Sequence, residues 1–302
     1  MTAAQHVVVA GASGLIGGAL TWSLRADGAR VTRLVRRPAQ APDEVEWLTD
    51  DAPLDPDVLA AADAVVALNG ASIGRLPWTP AYRDTLRSSR LAPTRTLATA
   101  LRELGTDAPA FLSASATGFY GDRPGERLTE ASTPGDTFLA GLCVEWERAA
   151  REAGPGTRVV LLRTAPLLHR QGVLKPLVTL TQLGVSGPLG RGTQVWPWIS
   201  LDDEVRAIRH LIDHPVSGPV NLAGPTPATA SEIGRALASQ LHRPFLLPAP
   251  AWALRLGLGR DAADSLLLPN SDAAPTALEA SGFTFQHPTA GAAIAAALVE
   301  PR

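Results

Sequence analysis

Three glycines spaced three residues apart stand near the start of the chain, in the run Gly11-Ala-Ser-Gly-Leu-Ile-Gly17. In a turn of this kind the first glycine permits a tight bend and the second lets phosphates approach the backbone. The third lets the following helix pack closely on the preceding strand. The free N–H groups and the dipole at the start of a helix attract the same phosphates. The spacing therefore predicts a turn that binds a dinucleotide.

The end of the next predicted strand indicates which dinucleotide binds. An Asp or Glu at this place accepts hydrogen bonds from the ribose of NAD, whereas arginine favours the additional phosphate of NADP. Here the strand ends Leu34-Val-Arg-Arg37, and the first carboxylate after it is Asp43. We predict NADP, with Arg36 and Arg37 near its 2′-phosphate. The alternative is a pair of solvated surface arginines.

The glycine turn needs a strand before it and a helix after it. His6–Ala10 is a short β-branched apolar run, typical of a strand that is buried on both faces. Leu15–Ala26 has apolar residues at helical spacing, and Arg30–Val35 is the next predicted strand. Together the three segments predict a β-α-β unit.

Strands and helices continue to alternate, which predicts an α/β fold: a Rossmann-like, doubly wound parallel sheet with a smaller C-terminal lobe on the substrate side. The further predicted strands are Ala64–Leu68, Ala110–Ser113, Arg158–Leu162 and Pro219–Leu222. The further predicted helices are Ser88–Leu104, Phe138–Ala153, Asp202–Asp213, Ser231–Leu241 and Pro250–Leu256. We predict an NADP-binding domain over residues 1–165, a segment over 166–224 that crosses between the lobes and completes the sheet, and a small lobe over 225–302.

Composition argues against several classes of protein. The net charge is -2, and Arg33, Arg36 and Arg37, the only local basic cluster, are explained by the cofactor, so we predict no nucleic-acid partner. Cys143 is the single cysteine, and the six histidines lack the spacing of metal ligands, so we expect neither a disulfide nor a metal site. The sequence shows no signal-peptide pattern and no apolar run long enough to cross a bilayer. We therefore expect a cytoplasmic protein with no membrane partner.

Several motifs resemble those of the extended short-chain dehydrogenase/reductase superfamily, which includes nucleotide-sugar epimerases and dehydratases. They are the glycine turn, Leu68-Asn-Gly70 and Ser113-Ala-Ser-Ala-Thr-Gly-Phe-Tyr-Gly121. Over nearly its whole length the chain resembles the little-characterised YfcH-like epimerase family, with a C-terminal segment of the DUF1731 type. The motifs for that closer resemblance are Ser88-Ser-Arg90 with Thr94, Cys143-Val-Glu-Trp-Glu147, Gly187–Gly192, Trp198-Ile-Ser200, Arg243-Pro244, Leu266–Pro269 and Gly282-Phe-Thr-Phe285.

The resemblance implies a nicotinamide cofactor that lies along the strand ends. The residues it places at the pyrophosphate are Gly11, Ser13, Gly14, Leu15 and Ile16. It places Val35 and Arg36 at the adenosine ribose and its phosphate, and Leu68 and Asn69 beside the cofactor. Arg90 is a further phosphate candidate, and Pro166 is expected to approach the nicotinamide.

The superfamily's usual acid–base group is a tyrosine with a lysine four residues later on one helix. The only tyrosines here are Tyr82 and Tyr120, and neither has such a lysine. At the expected helix position stand Cys143 and Glu147 instead. A neighbouring carboxylate raises the pKa of a thiol, so this pair differs chemically from the usual one.

Three residues are therefore candidates for catalysis. Ser115 matches the superfamily's strand-end serine, and the alternative is a hydroxyl satisfied by nearby backbone. Tyr120 could replace the missing acid if its hydroxyl reaches the nicotinamide, and the alternative is core packing. Cys143 is either the acid or a small packed apolar residue. We assign Glu130 to the start of a helix.

Two functions follow from this reading. The first is an NADP(H)-binding oxidoreductase or epimerase-like enzyme, monomeric or homodimeric, whose substrate is a small polar molecule such as a nucleotide sugar or carbonyl compound. The second is an NADP(H)-binding sensor or scaffold without turnover. The absence of the Tyr–Lys pair favours the second function, and a glycine-rich stretch able to cover a substrate favours the first.

Overall fold

The computed structural model describes residues 4–49 and 52–299. Its strands are β1 (His6–Ala10), β2 (Arg30–Val35), β3 (Glu44–Glu46), β4 (Ala64–Ala67), β5 (Ala110–Ala116), β6 (Arg127–Leu128), β7 (Val159–Thr164), β8 (Val195–Trp196), β9 (Gly218–Leu222), β10 (Ala228–Thr229) and β11 (Asp272–Ala273). Its α-helices are α1 (Leu15–Ala26), α2 (Asp57–Ala60), α3 (Pro80–Leu104), α4 (Phe138–Arg151), α5 (Leu174–Gln182), α6 (Leu201–Asp213), α7 (Ala230–Gln240), α8 (Ala251–Leu258), α9 (Arg260–Leu266), α10 (Thr276–Ala280) and α11 (Ala290–Val299).

A seven-stranded sheet in the order β3-β2-β1-β4-β5-β7-β9 forms the centre of the molecule, and every pair of neighbouring strands is parallel. Apolar side chains alternate between its two faces. On one face α1 and α6 cover residues such as Val7 and Val9, and on the other α3 and α4 cover residues such as Val8 and Phe111. The predicted doubly wound Rossmann-like fold is confirmed.

The last part of the chain packs against the sheet domain at several places. Helices α5, α7 and α11 share one apolar cluster with Trp196 and Trp198, beside the antiparallel pair of β8 and β10. Ala262 of α9 packs against Leu86 of α3 and Leu142 of α4. Strand β11 pairs in parallel with β6 of the first half. The C-terminal residues are therefore joined to the elements that surround the sheet's C-terminal edge.

The sequence patterns gave some bounds correctly and missed other elements. Strands β1 and β2 and helix α1 have the predicted bounds. Helix α3 begins eight residues before its predicted start, because the Thr79 side chain caps it and Pro80 occupies its first turn, where proline is tolerated. Strand β3 and helices α5 and α11 had not been predicted. No helix among the described residues is both long and apolar enough to cross a membrane.

Candidate cofactor and active site

The glycine turn closes against the end of β4. Gly11 has a φ of +88°, a conformation that favours glycine. A Cβ on Gly11 would lie 2.8 Å from the carbonyl carbon and oxygen of Leu68, and one on Gly17 would collide with the carbonyl oxygen of Gly11. The chain itself therefore requires glycine at positions 11 and 17.

Gly14 differs from the other two glycines of the turn. Its φ of -78° suits any residue, and the only contact its Cβ would make is with the Gly11 carbonyl oxygen at 3.4 Å. It is the N-cap of α1, where no side chain accepts a hydrogen bond from the first turn and no acidic residue is present. Ser13 and Gly14 are exposed, whereas Leu15 and Ile16 are half-buried. The Gly14 N–H donates to the Gly11 carbonyl oxygen at 3.0 Å, and no side chain caps the N–H groups that follow it in the first turn of α1, so this open cradle suits a phosphate.

Two polar side chains, Asn69 and Arg90, lie beside this turn after the end of β4. The side-chain oxygen of Asn69 is buried and has no hydrogen-bond partner among the described residues. The Arg90 guanidinium packs on Gly70, where a Cβ would lie 3.1 Å from its Cζ, and lies 5.2 Å from the ring centroid of Trp146. It donates to two backbone carbonyls at 2.9 and 3.1 Å, and no described carboxylate pairs with it. Burial lowers the pKa of Arg90.

The two arginines after β2 have different surroundings. Arg37 donates two hydrogen bonds, of 2.9 and 2.8 Å, to the buried carboxylate of Glu44. These bonds are the main reason why the pKa of Glu44 is lowered to about 2. Arg36 is exposed and has no partner within the described part of the chain. Of the two predicted phosphate ligands, only Arg36 is therefore free to bind an anion.

A buried ion pair occupies the expected catalytic position on the opposite side of the sheet from α1. Arg163 of β7 donates to both carboxylate oxygens of Glu147 on α4, at 2.7 and 3.1 Å, and both side chains are almost fully buried. The Ser115 hydroxyl donates to Glu147 Oε1 at 2.9 Å. Ser115 therefore stands at the strand end as expected, but its proton is already engaged within the protein.

The Tyr120 hydroxyl lies between Arg163 of β7 and Asn221 of β9. Tyr120 is fully buried, and its hydroxyl donates to Asn221 Oδ1 at 2.6 Å and accepts a hydrogen bond from Arg163 at 3.0 Å. Burial raises its pKa. This geometry favours the alternative of core packing for Tyr120, because its hydroxyl is hydrogen-bonded to two side chains inside the core.

Cys143 lies one helical turn before Glu147 on α4. It is buried, and its Sγ lies 3.8 Å from the carbonyl oxygen of Ala116, at the end of β5. Burial, and secondly the charge of Glu147, raise the pKa of the Cys143 thiol to about 11. Arg90 and the Ser115 hydroxyl oppose this shift. At neutral pH the group is therefore a thiol that can donate a proton, not a thiolate nucleophile.

The remaining predicted residues lie along the same edge of the sheet. Val35 is the last residue of β2, and Pro166 follows the end of β7, where its carbonyl oxygen accepts a hydrogen bond from the Ile199 N–H at 3.2 Å. The turn at Gly11 and the residues Leu68 and Asn69 follow the paired ends of β1 and β4. The C-terminal ends of parallel strands are where ligands bind in open α/β sheets.

Sequence reasoning missed three residues of this interior. Arg163 interrupts the apolar run of a buried strand, which is a signal for a buried partner such as Glu147. Asn221 interrupts β9 in the same way. Glu130, assigned to the start of a helix, instead accepts hydrogen bonds from the backbone N–H groups of Asn221 and Ala277, both at 3.1 Å. Only the fold brings these distant segments together.

These features fit a phosphorylated dinucleotide. The uncapped start of α1 and the cradle at Gly14 suit a pyrophosphate, and the unpaired Arg36 suits a further phosphate. The orphaned oxygen of Asn69 lies where a ribose hydroxyl could donate to it. For a metal ion the described residues offer no comparable site, since no three His, Cys, Asp or Glu side chains are grouped to hold one.

Known proteins share both the sequence and the fold. Residues 7–223 match the NAD dependent epimerase/dehydratase family, and residues 249–297 match a domain of unknown function, DUF1731. An epimerase family protein of Mycobacterium bovis is 42% identical over 98% of both chains. The human epimerase family protein SDR39U1 is 31% identical over 96% of this chain and 98% of its own.

Solved structures agree with these matches. The crystal structure of human SDR39U1 (isoform 2) with NADPH has a TM-score of 0.87 and 30% identity, and the match covers 98% of this chain and 100% of that one. A nucleoside-diphosphate sugar epimerase from Corynebacterium glutamicum has a TM-score of 0.78 and 34% identity, over 98% of this chain and 58% of its own. The resemblance of the motifs is confirmed: the chain belongs to the NAD dependent epimerase/dehydratase family, within the extended short-chain dehydrogenase/reductase superfamily.

Proposed function

We propose that this chain binds NADP(H) across the C-terminal edge of its sheet and acts as an oxidoreductase on a small polar carbonyl compound or alcohol. The observation on which this rests is the start of α1: no side chain caps its first N–H groups, no acidic residue lies in its first turn, and the backbone at position 14 does not itself require the glycine found there. The presence of NADPH in the crystal structure of human SDR39U1 supports the choice of cofactor.

The proposed cofactor contacts follow the edge of the sheet. Those at the pyrophosphate are Gly11, Ser13, Gly14, Leu15 and Ile16. Val35 and Arg36 contact the adenosine ribose and its 2′-phosphate, with Arg37 fixed nearby by Glu44. Leu68 and Asn69 lie beside the cofactor, and Pro166 faces the nicotinamide. Arg90 is the cation closest to the Asn69 segment, and it stabilises either a cofactor phosphate or negative charge near Cys143.

In this proposal Cys143 takes the place of the usual tyrosine. Bound NADPH supplies a hydride to the carbonyl carbon of the substrate. The Cys143 thiol then gives its proton to the carbonyl oxygen, so that an alcohol forms, and the thiolate takes a proton back from water. A thiol pKa of about 11 keeps Cys143 protonated at neutral pH, while the charge of Arg90 favours the transient thiolate. Ser115 orients the thiol rather than acting as the donor.

The binding half of the proposal is tested by titrating the intrinsic fluorescence of NADPH and NADH with the wild type and with Arg36→Asp. Loss of a guanidinium–phosphate contact and the added repulsion should weaken NADPH binding by at least about tenfold and NADH binding much less. Arg102→Asp, an exposed change at the far end of α3, is the matched control and should leave both affinities unchanged. Equal losses for the two cofactors in Arg36→Asp would contradict the assignment of the 2′-phosphate.

The catalytic half is tested by following NADPH oxidation with a panel of sugar nucleotides, quinones and simple carbonyl compounds. Cys143→Ala should lower kcat by about 100-fold or more, since it removes a positioned proton donor, and should leave NADPH affinity intact. Ser115→Ala should reduce kcat less. A Cys143→Ala variant with full activity would show that the thiol is only a packing residue.

A second function, an NADP(H) sensor without turnover, is favoured by one observation. The Ser115 hydroxyl donates its proton to a hydrogen bond with Glu147, and the Glu147 carboxylate is paired with Arg163. Neither Ser115 nor Glu147 is therefore free to act on a substrate. Tight NADPH binding with no oxidation by any compound of the panel would support this function over the first.

A further inference from the structure

The ends of β5, β7 and β9 extend beyond those of β1 and β4 at the edge proposed for the cofactor. Ala10 of β1 pairs with Ala67 of β4, which pairs with Ser113 of β5. Thr164, the last residue of β7, pairs with Ala116, three residues farther along β5. Thr164 therefore lies past the level at which the glycine turn begins, and it is two residues before Pro166, which the proposed function places at the nicotinamide.

Glu204, in the first turn of α6, contacts this strand end. Its side chain is fully buried, and its Oε1 accepts a hydrogen bond of 2.8 Å from the Thr164 hydroxyl. Its Oε2 is also buried and has no partner among the described residues. Buried carboxyl groups normally have a cation or several donors, so a single hydroxyl leaves this group under-satisfied.

Among the described residues, no cationic side chain forms an ion pair with the carboxyl group of Glu204. The titratable groups of α6 and of the elements that pack on it are Asp202, Asp203, Arg206, Arg209, His210 and Asp213 of α6, Arg163 of β7, Arg25 and Asp27 of α1, and His287. Arg206 pairs with Asp203, which also accepts from the backbone N–H of His287. Arg209 pairs with Asp27 at the far end of α1, and Arg163 points to Glu147 on the other face. Among the described residues none of them forms an ion pair with Glu204.

The protonation of Glu204 follows from this environment. Burial raises its pKa to about 8, and the Thr164 hydroxyl lowers it only in part. At neutral pH the group is therefore a neutral carboxylic acid, and the fold keeps it at the strand end that leads into Pro166.

We propose that Glu204 determines which oxidation state of the bound nicotinamide cofactor this protein prefers. This inference rests on the proposed binding of NADP(H). The reduced nicotinamide ring is neutral and the oxidised ring carries a positive charge, so an ionised carboxylate near the ring stabilises only the oxidised form. While Glu204 holds its proton this attraction is absent, and NADPH is favoured. Ionisation of Glu204 shifts the preference toward NADP⁺.

The size of the effect can be set from Coulomb's law. For opposite charges about 10 Å apart at an effective dielectric constant of about 30, the ratio of the two dissociation constants changes about sixfold. The 2′-phosphate and pyrophosphate are common to both cofactors, so their contributions cancel in this ratio.

The experiment measures dissociation constants of NADPH and NADP⁺ from pH 6 to pH 9.5 for three proteins. In the wild type, the preference for NADPH should fall by about sixfold as the pH passes about 8. Glu204→Gln keeps the size of the side chain and cannot ionise, so its ratio should stay constant. Glu103→Gln, an exposed change at the distant end of α3, should behave as the wild type. A flat ratio in the wild type, or the same slope in Glu204→Gln, would overturn the inference while leaving NADP(H) binding intact.

A measurement without cofactor tests the proton on Glu204 separately. In the unfolded chain this carboxyl ionises near its ordinary pKa of 4.5, whereas in the folded protein it keeps its proton up to about pH 8. The folded state thus binds the additional proton between these values, and stability falls as the pH rises through this window and levels off above it. The Tm of the wild type should decline from pH 5 to pH 8 more steeply than that of Glu204→Gln. Parallel declines would show that Glu204 is already ionised at neutral pH, which contradicts the inference even if no cofactor binds.

Discussion

Arg163 shows how a single charged residue organises the interior of this protein. It lies on β7, next to the edge strand β9, with its guanidinium 3.6 Å from the ring centroid of Phe119, and it binds Glu147, Tyr120 and the carbonyl of Glu130. These four partners belong to three segments of the chain that are separate from β7 in sequence. Glu147, which stands where the superfamily has its lysine, is thus held in a buried ion pair with Arg163.

Removing one partner of this pair should be far more harmful than removing both. Arg163→Met leaves the Glu147 carboxylate buried without compensation and should lower the free energy of unfolding by about 3–5 kcal/mol. The double variant Arg163→Met with Glu147→Leu removes the isolated charge and should recover a large part of that loss. Urea unfolding of the three proteins measures the coupling. Additive losses would mean that the pair contributes no mutual stabilisation.

At the scale of elements, the sequence predicts those helices and strands whose bounds depend on neighbouring residues. The β1–α1–β2 unit has the predicted bounds, because β-branched runs, helical spacing and the glycine turn all act within a few residues. Helix α11 was missed since its alanine-rich sequence has little difference between its faces. Glu204 had a readable signal: on α6 it occupies the same stripe as Val205, Ile208 and Leu211, so burial was foreseeable. The absence of a partner for its Oε2 among the described residues depends on the tertiary packing and could not be foreseen from the sequence.

Three glycine substitutions separate the structural and ligand-binding roles of the start of α1. Gly17→Ala places a Cβ against the Gly11 carbonyl and should destabilise the protein by at least about 2 kcal/mol. Gly14→Ala should cost no more than about 1 kcal/mol but weaken NADPH binding by about tenfold, because its Cβ points into the cradle. Gly18→Ala, one residue after Gly17 in α1, has room for its Cβ and should raise Tm slightly. Thermal unfolding and NADPH titration test all three, and unchanged affinity in Gly14→Ala would remove the cradle from the cofactor site.

At the scale of the whole molecule, the decisive feature is that the segment around Ala274 and Ala277 completes the interior next to β9. Asn221 accepts from Tyr120 and donates to the carbonyl of Ala274, and Glu130 receives the N–H of Ala277. These contacts join residues that are 101, 53 and 147 positions apart in sequence, so no local pattern predicts them. The composition and motifs gave the fold class and the family, but the side chains around Ser115 could be assigned only from the folded chain.

Loss of the Glu130 carboxylate should therefore loosen a distant part of the chain. Glu130→Ala leaves two backbone N–H groups without their acceptor and should cost about 1–3 kcal/mol. Hydrogen exchange at Asn221 and Ala277 should accelerate markedly. Glu126→Ala, four residues earlier on the surface and bound only to Arg123, is the matched control and should change neither exchange nor stability. Unaltered protection at Ala277 in Glu130→Ala would show that β11 and its pairing with β6 alone hold the segment in place.

The contact between Glu130 and Ala277 also constrains the order in which the protein forms as a ribosome makes it. The strands up to β7 and the glycine turn emerge early, and domains begin to fold while synthesis continues. The hydrogen bonds of Glu130, however, are complete only after β9 and then Ala277 have been synthesised. A nascent chain that stalls before Ala277 contains the cofactor turn but has an incomplete interior. Chaperones and proteases therefore have access to that interior until Ala277 has been synthesised.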